Sequence, residues 1–313
     1  MSWLADDSSG FPYPEATALA VRTALWWNRC HPDWPAVSLI PELRYLEQSV
    51  DRVGIVWQKG RGYLFDSALV LAALADARDA GLPGSHLPVL ARLEQGVASM
   101  LRQRQATLVP VAVPTWSTSF GPHQVKALAL AVRSGAVSGD SDVCRARLDD
   151  LLALQGDDGG FRHPGGSGVL LHAHCYALEG LAMLSAPGTN GLCPPRLTDS
   201  ARAAFERGLD FLVAWQSADG TFPTRANGVN PLKPVGGTAW AGDVTVQAGR
   251  LLALAGRSSV LPLLDQGLSI CMGPDGLVRY SDTLRHRNSW ASLFALQYLW
   301  ARSSGPLTAG DLA

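Results

Sequence analysis

Acids, imidazoles and amides stand at six places in this chain, each at the opening of a mainly apolar segment. They are Glu15, Asp66, His123 with Gln124, His172 with His174, Asp243, and Asn288. One helical turn further on come Tyr176, Glu179, Gln247 and Arg250. Carboxylates and imidazoles give and take protons near neutral pH. Buried polar groups need a partner or a ligand. The set therefore reads as acid–base machinery around a pocket. Asp243, His174 and Asp66 are the candidate catalytic residues, expected to point into one shared cavity. Candidates for binding substrate are Glu15, His123, His172, Tyr176, Glu179, Trp240, Gln247, Arg250, Arg287, Asn288 and Trp290.

Each of these residues also has a purely structural reading. Asp66, Asp243 and Asn288 are good helix N-caps. Glu179 and Arg250, on two apolar segments, would make an ion pair in the pocket floor. Arg285 and Arg287 sit in a polar loop and could clamp a carboxylate or phosphate, or simply be solvated. His172-Ala173-His174-Cys175 has the residue types of a zinc site. No third and fourth ligands are evident, so neither metal nor other cofactor is expected. Ten tryptophans are present. Trp57, Trp116, Trp240 and Trp290 fall on the approaches to the apolar segments. Such rings stack on sugars and equally stabilise cations, so they mark a pocket without choosing its guest.

A repeat positions these residues. Gln155-x-x-Asp158-Gly159-x-Phe161 and Gln216-x-x-Asp219-Gly220-x-Phe222 share one pattern. A weaker copy runs from Met272 through Asp275-Gly276 to Val278, and a fainter one is read at Gln58–Tyr63. Asp-Gly marks a turn, with glycine supplying positive φ. Amphipathic segments precede the turns, at about 38–50, 85–104, 141–155, 198–216 and 258–271. Segments apolar almost all round follow them, at about 15–27, 67–80, 124–133, 175–185, 244–254 and 289–302. A helix with one wet face lies outside, and one without a polar face is buried. The alternation predicts an all-α fold, an α/α toroid of six inner and five or six outer helices. Residues 1–301 make one domain, and 302–313 a loose tail.

Composition narrows the classes. With 47% hydrophobic and 17% charged residues, the chain is too apolar for disorder. A net charge of −1 gives no footprint for nucleic acid. No apolar run approaches the ~18–20 residues of a membrane span. The acidic start has no signal-peptide apolar stretch, so a cytoplasmic location is expected. The five cysteines, widely spaced and without a CxxC, read as reduced thiols. The expected partner is a small molecule.

The repeated turns between outer and inner helices resemble those of squalene–hopene cyclases and protein prenyltransferase β subunits. Cys175-Tyr176-x-Leu178-x-Gly180-Leu181 is similar to a prenyltransferase run in which a zinc-binding His stands two residues before the Cys. Here that place is Ala173. Asp243-x-Thr245 matches part of the Asp-x-Asp-Asp-Thr-Ala run of the cyclases, which would make Asp243 a proton donor. Tyr13-Pro14-Glu15 and 243–250 are similar to toroid proteins encoded beside polysaccharide genes. Three functions stay open. The first is acid–base chemistry on a hydroxylated, sugar-like substrate, as an isomerase, lyase or hydrolase. The second is a reduced terpene cyclase. The third is a toroid that only binds its ligand.

Overall fold

The structure, a computed structural model, describes residues 12–58, 60–82, 86–109, 111–112, 115–166, 168–186, 193–226, 240–284, 286–303, 305 and 307–312. Eleven α-helices lie among them. The inner six are α1 (Pro14–Cys30), α3 (Leu64–Asp79), α5 (Gln124–Arg133), α7 (Leu171–Ser185), α9 (Gly242–Leu254) and α11 (Ser289–Ser303). Each packs on the next, and α11 returns to pack on α1, closing a ring. Between them in sequence run the outer helices α2 (Ile40–Gln48), α4 (His86–Arg102), α6 (Asp142–Leu152), α8 (Pro195–Ala214) and α10 (Leu261–Cys271). Burial follows the sequence pattern. Every residue of α7 is buried. On α8 the buried residues recur at three to four, from Leu197 and Ala201 to Leu209 and Leu212. Truncating a core leucine such as Leu178 to alanine would cost about 2–5 kcal/mol. No helix among the described residues is long and apolar enough to cross a membrane.

The repeated turns fasten outer helices to inner ones. Gly159 and Gly220 both have φ of 86°. A Cβ there would lie 2.2 Å from the Arg207 carbonyl oxygen and 1.7 Å from that of Leu263, so only glycine lets the turn cross the next outer helix. The backbone N–H closing each turn is then bound by a side chain four residues into the following inner helix. Phe222 N–H donates to the Thr245 hydroxyl at 3.1 Å, and Val278 N–H to Ser292 at 3.0 Å. Phe161 N–H donates to His174 Nδ1 at 3.2 Å, and Val56 N–H to Ser67 at 2.9 Å.

That last contact corrects the faint repeat copy. The turn equivalent to the others is 50–56, closed by a bridge between Val50 and Val56, with Gly54 at φ 78°. It lacks the Asp-Gly pair, since Val53 precedes Gly54, and Asp51 instead caps it by accepting from the Val53 and Ile55 amides. The expected site, Gln58–Tyr63, is a hairpin between β1 (Val56–Gln58) and β2 (Arg61–Tyr63). A second short pair joins β3 (Val169–Leu170) to β4 (Arg225–Ala226).

The C-terminal end differs from the expected loose tail. A 3-10 turn at Ala309–Asp311 docks across the far end of the ring. Arg22 donates to the carbonyls of Leu312 at 3.0 Å and Gly310 at 3.2 Å, and Gln297 to that of Asp311 at 2.6 Å. Leu312 is fully buried. The segment is held through its backbone carbonyls, which accept from Arg22 and Gln297 of the ring.

Candidate active site

The first turns of the inner helices meet at one end of the ring around a cavity of about 520 Å³. Its wall includes Glu15, Asp66, His123, His172, Asp243 and Trp290, one residue from each inner-helix opening. Tyr13, Phe65, Trp116 and Tyr280 add aromatic faces. Tyr13 stacks on Trp290 with ring centres 5.7 Å apart, and the Trp116 ring stands edge-on to both His123 and His172.

The helices α3 and α7 begin three and four residues earlier than the sequence reading places them. Asp66 and His172 therefore lie within first turns rather than before them. The N-cap residues of α3 and α9, Tyr63 and Ala241, make no side-chain cap; Asp243, second in α9, instead accepts from its own backbone amide and that of Val244. Asn288 is the cap: its side chain accepts from the Ala291 amide at 2.8 Å.

His172 Nδ1 lies 3.3 Å from Asp243 Oδ2. Burial holds the Asp243 carboxyl above its ordinary range, against the opposing pull of His172 and two backbone amides. Asp66 is raised well above its range, first by burial and then by the charge of Glu15. Glu15 is raised by burial, although Tyr176 donates to it at 2.9 Å. The Asp243 charge, with burial, pushes the Tyr280 phenol up to about 12. His123 is driven well down by burial and by its neighbours His163 and His172, and its Nδ1 has no partner among the described residues.

Not every expected residue reaches the mouth. His174 is a correction. It is fully buried, and besides holding Phe161 N–H it has its Nε2 3.0 Å from the Gly208 carbonyl of α8. Burial drives it down to about 4. Residues two apart on a helix point to nearly opposite sides, so His172 faces the cavity and His174 the outer layer. The same geometry keeps the pair from chelating one ion. Among the described residues no group of three His, Cys, Asp or Glu is placed to hold a metal. Arg287 is also elsewhere, bound to Asp275 in the last repeated turn at 2.8 Å. Trp240 lies 5.7 Å from the Arg279 guanidinium, outside the cavity wall. Trp57 is exposed and donates to Asp51. Arg285 lies outside the described residues.

Tyr176, Glu179, Gln247 and Arg250 form a layer beneath the mouth. Glu179 accepts from Gln247 at 2.7 Å, from Arg250, and from Lys126 at 2.6 Å. Arg250 also donates to Gln297 at 2.5 Å and covers the Phe294 ring. The expected Glu179–Arg250 pair is present, but Lys126 was missed. A lysine inside an apolar helix was the available signal. Burial outweighs Glu179 and lowers Lys126 to about 8, while the two cations hold Glu179 below its ordinary value. Gly180 makes this possible: a Cβ there would lie 2.5 Å from the Lys126 amide, so α5 and α7 touch through backbone.

An unsaturated glucuronyl hydrolase from Bacillus sp. GL1 shares 12% identity over 99% of this chain and 93% of its own, with TM-score 0.61. The fold is an α/α toroid. A glycosyl hydrolase family 88 protein from Bacteroides vulgatus is alike at 12% identity, over 93% of this chain and 91% of its own, TM-score 0.62. So is a polysaccharide lyase, at 13%, 93%, 89% and 0.61 respectively. At such identities the likeness is one of toroid architecture. No protein-family profile matches the chain, and no curated protein matches it.

Proposed function

We propose that the toroid is an enzyme of glycan or small-molecule metabolism that moves protons on a hydroxylated, sugar-like substrate held in its mouth. The observation that carries this reading is the buried Asp243–His172 pair, opening on a cavity walled by aromatic rings and further carboxyls. Burial favours the protonated Asp243 carboxyl and so prepares a general acid, with the His172 imidazole 3.3 Å away. Trp116 and Trp290 offer faces for a sugar ring, and His123 Nδ1 awaits a hydrogen-bond partner. The reaction class is hydrolysis, elimination or isomerisation. Glycan-acting proteins among the similar toroids support that choice.

The cyclase and prenyltransferase likenesses have weaker support. Thr245, half of the cyclase match, is consumed in holding Phe222 N–H. Gly180, part of the prenyltransferase match, serves helix contact.

The test is a crystal soaked with a panel of mono- and disaccharides, with activity on the sugars that bind. A sugar ring against Trp116 or Trp290 within reach of Asp243 is the expected result. A bound isoprenoid with no sugar occupancy would overturn the reading.

A further inference from the structure

The wall contributed by α1 and α3 carries a carboxyl that no described residue answers. Asp66 is only 5% exposed and lines the cavity, yet it makes no hydrogen bond or ion pair with any described residue. Its charged neighbour is Glu15, of the same sign. Other carboxylates are answered: buried Glu179 by Lys126 and Arg250, half-buried Asp76 by Arg22 and Arg133, and buried Asp243 by two backbone amides with His172 at 3.3 Å. Glu15 itself receives the Tyr176 hydroxyl.

Three further facts fix the sign of the missing partner. No lysine or arginine is among the described residues lining the cavity. Lys126 lies below it, already bound to Glu179 and beneath the Tyr176 ring. The positive ends of α1, α3 and α9, which would otherwise attract an anion, each carry an acid in the first turn: Glu15, Asp66 and Asp243. The same cavity presents the rings of Tyr13, Phe65 and Trp290, and aromatic faces beside carboxylates are the chemistry that recognises an ammonium group.

We propose that the sugar-like substrate carries an ammonium group seated against Asp66 and Glu15, so that the site takes an amino sugar rather than a uronate. This rests on the reading of the mouth as a sugar-processing site. Binding ionises Asp66. Its O–H bond breaks, the electron pair stays on the carboxylate, the ligand keeps its N–H protons, and the released proton goes to the buffer. Burial and Glu15 both favour the protonated form beforehand, so this release is expected when the ligand arrives.

Calorimetry on the full chain tests it, with glucosamine, N-acetylglucosamine, glucuronate and cyclohexylamine as probes. Each is titrated in two buffers of different ionisation enthalpy. Glucosamine is expected to bind at least ~10-fold more tightly than N-acetylglucosamine or glucuronate, with proton release. Asp66→Asn, and separately Glu15→Gln, should bring that ratio close to one. Circular dichroism checks that each variant is folded. Glucuronate binding as tightly as glucosamine overturns the inference and leaves the sugar reading standing. So does a glucosamine preference that survives both substitutions. Cyclohexylamine matching glucosamine keeps the ammonium contact and sinks the sugar. Binding of none of the four overturns both.

Discussion

The mouth of the ring and the layer a turn or two beneath it are comparably buried but differently partnered. Below, Glu179 accepts from three side chains, Arg250 donates onward to Gln297, and Gln297 reaches the docked C-terminal turn. Above, among the described residues, Asp66 has no hydrogen-bond partner, His123 Nδ1 has none, and Asp243 has two backbone amides and one imidazole at 3.3 Å. The contrast separates two uses of buried charge. A network of paired charges locks helices together, because removing any member leaves the others uncompensated. An unsaturated set is an energetic liability in the empty protein, and a ligand relieves it.

Four substitutions test this contrast, in falling order of expected effect. Glu179→Ala strands Lys126 and Arg250 without a counter-charge and should cost about 3–5 kcal/mol in denaturant unfolding. A loss under ~1 kcal/mol would break the distinction at its strong end. Asp243→Asn should lower turnover at least ~100-fold, about 2.7 kcal/mol in the barrier, with helical circular dichroism unchanged. Full activity would reduce Asp243 to a helix-start residue.

His174→Ala should cost about 2 kcal/mol of stability by orphaning Phe161 N–H and the Gly208 carbonyl. Sugar binding should be left intact. The neutral ring is the folded form, since burial lowers His174 from 6.5 to about 4. Its contribution is thus present above the ordinary imidazole value and lost as pH falls through that window. Thermal melts of wild type and variant should converge there. Asp66→Asn should do the opposite and raise stability by about 1 kcal/mol at pH 7. Asp66 is raised in the fold, so wild type loses stability as pH rises through its folded value. The variant's advantage should therefore vanish in acid, below the ordinary carboxylate range. A destabilised Asp66→Asn would show that Asp66 has a structural partner after all.

The ring was legible because its signal is periodic. Apolar segments such as 244–254 and amphipathic ones such as 198–216 differ in which faces they wet, and one sequence suffices to see it. The site was only half legible. The sequence showed that Glu15, Asp66, His172 and Asp243 open inner helices, which places them at one end. It did not show which way each side chain points. His174 illustrates the reason: it occupies the fourth helical position held by Ser67, Thr245 and Ser292 in the other repeats, and like them it binds a turn amide. Aligning the repeats from the helix starts would have exposed that equivalence. A histidine replacing hydroxyls disguised it. Lys126 escaped because the third inner segment has no Asp-Gly turn before it and so fell outside the repeat comparison.

The seam between α1 and α11 bears on the order of assembly. Every other joint of the inner ring is made between helices separated by one outer helix or one loop, whereas this joint unites residues from the two ends of the sequence. Neighbouring hairpins can therefore dock early through local contacts, and the open crescent they form closes last. Loop closure grows costlier only slowly with length, by about 0.6 kcal/mol per doubling, so the seam delays folding more than it weakens the product. Tyr13 and Glu15 come from one side of the seam and Trp290 from the other. Before closure the aromatic wall has no second half. A nascent or partly unfolded chain would keep its hairpins and lack its pocket, and a ligand that binds the mouth would act as a clasp, slowing the reopening of the crescent.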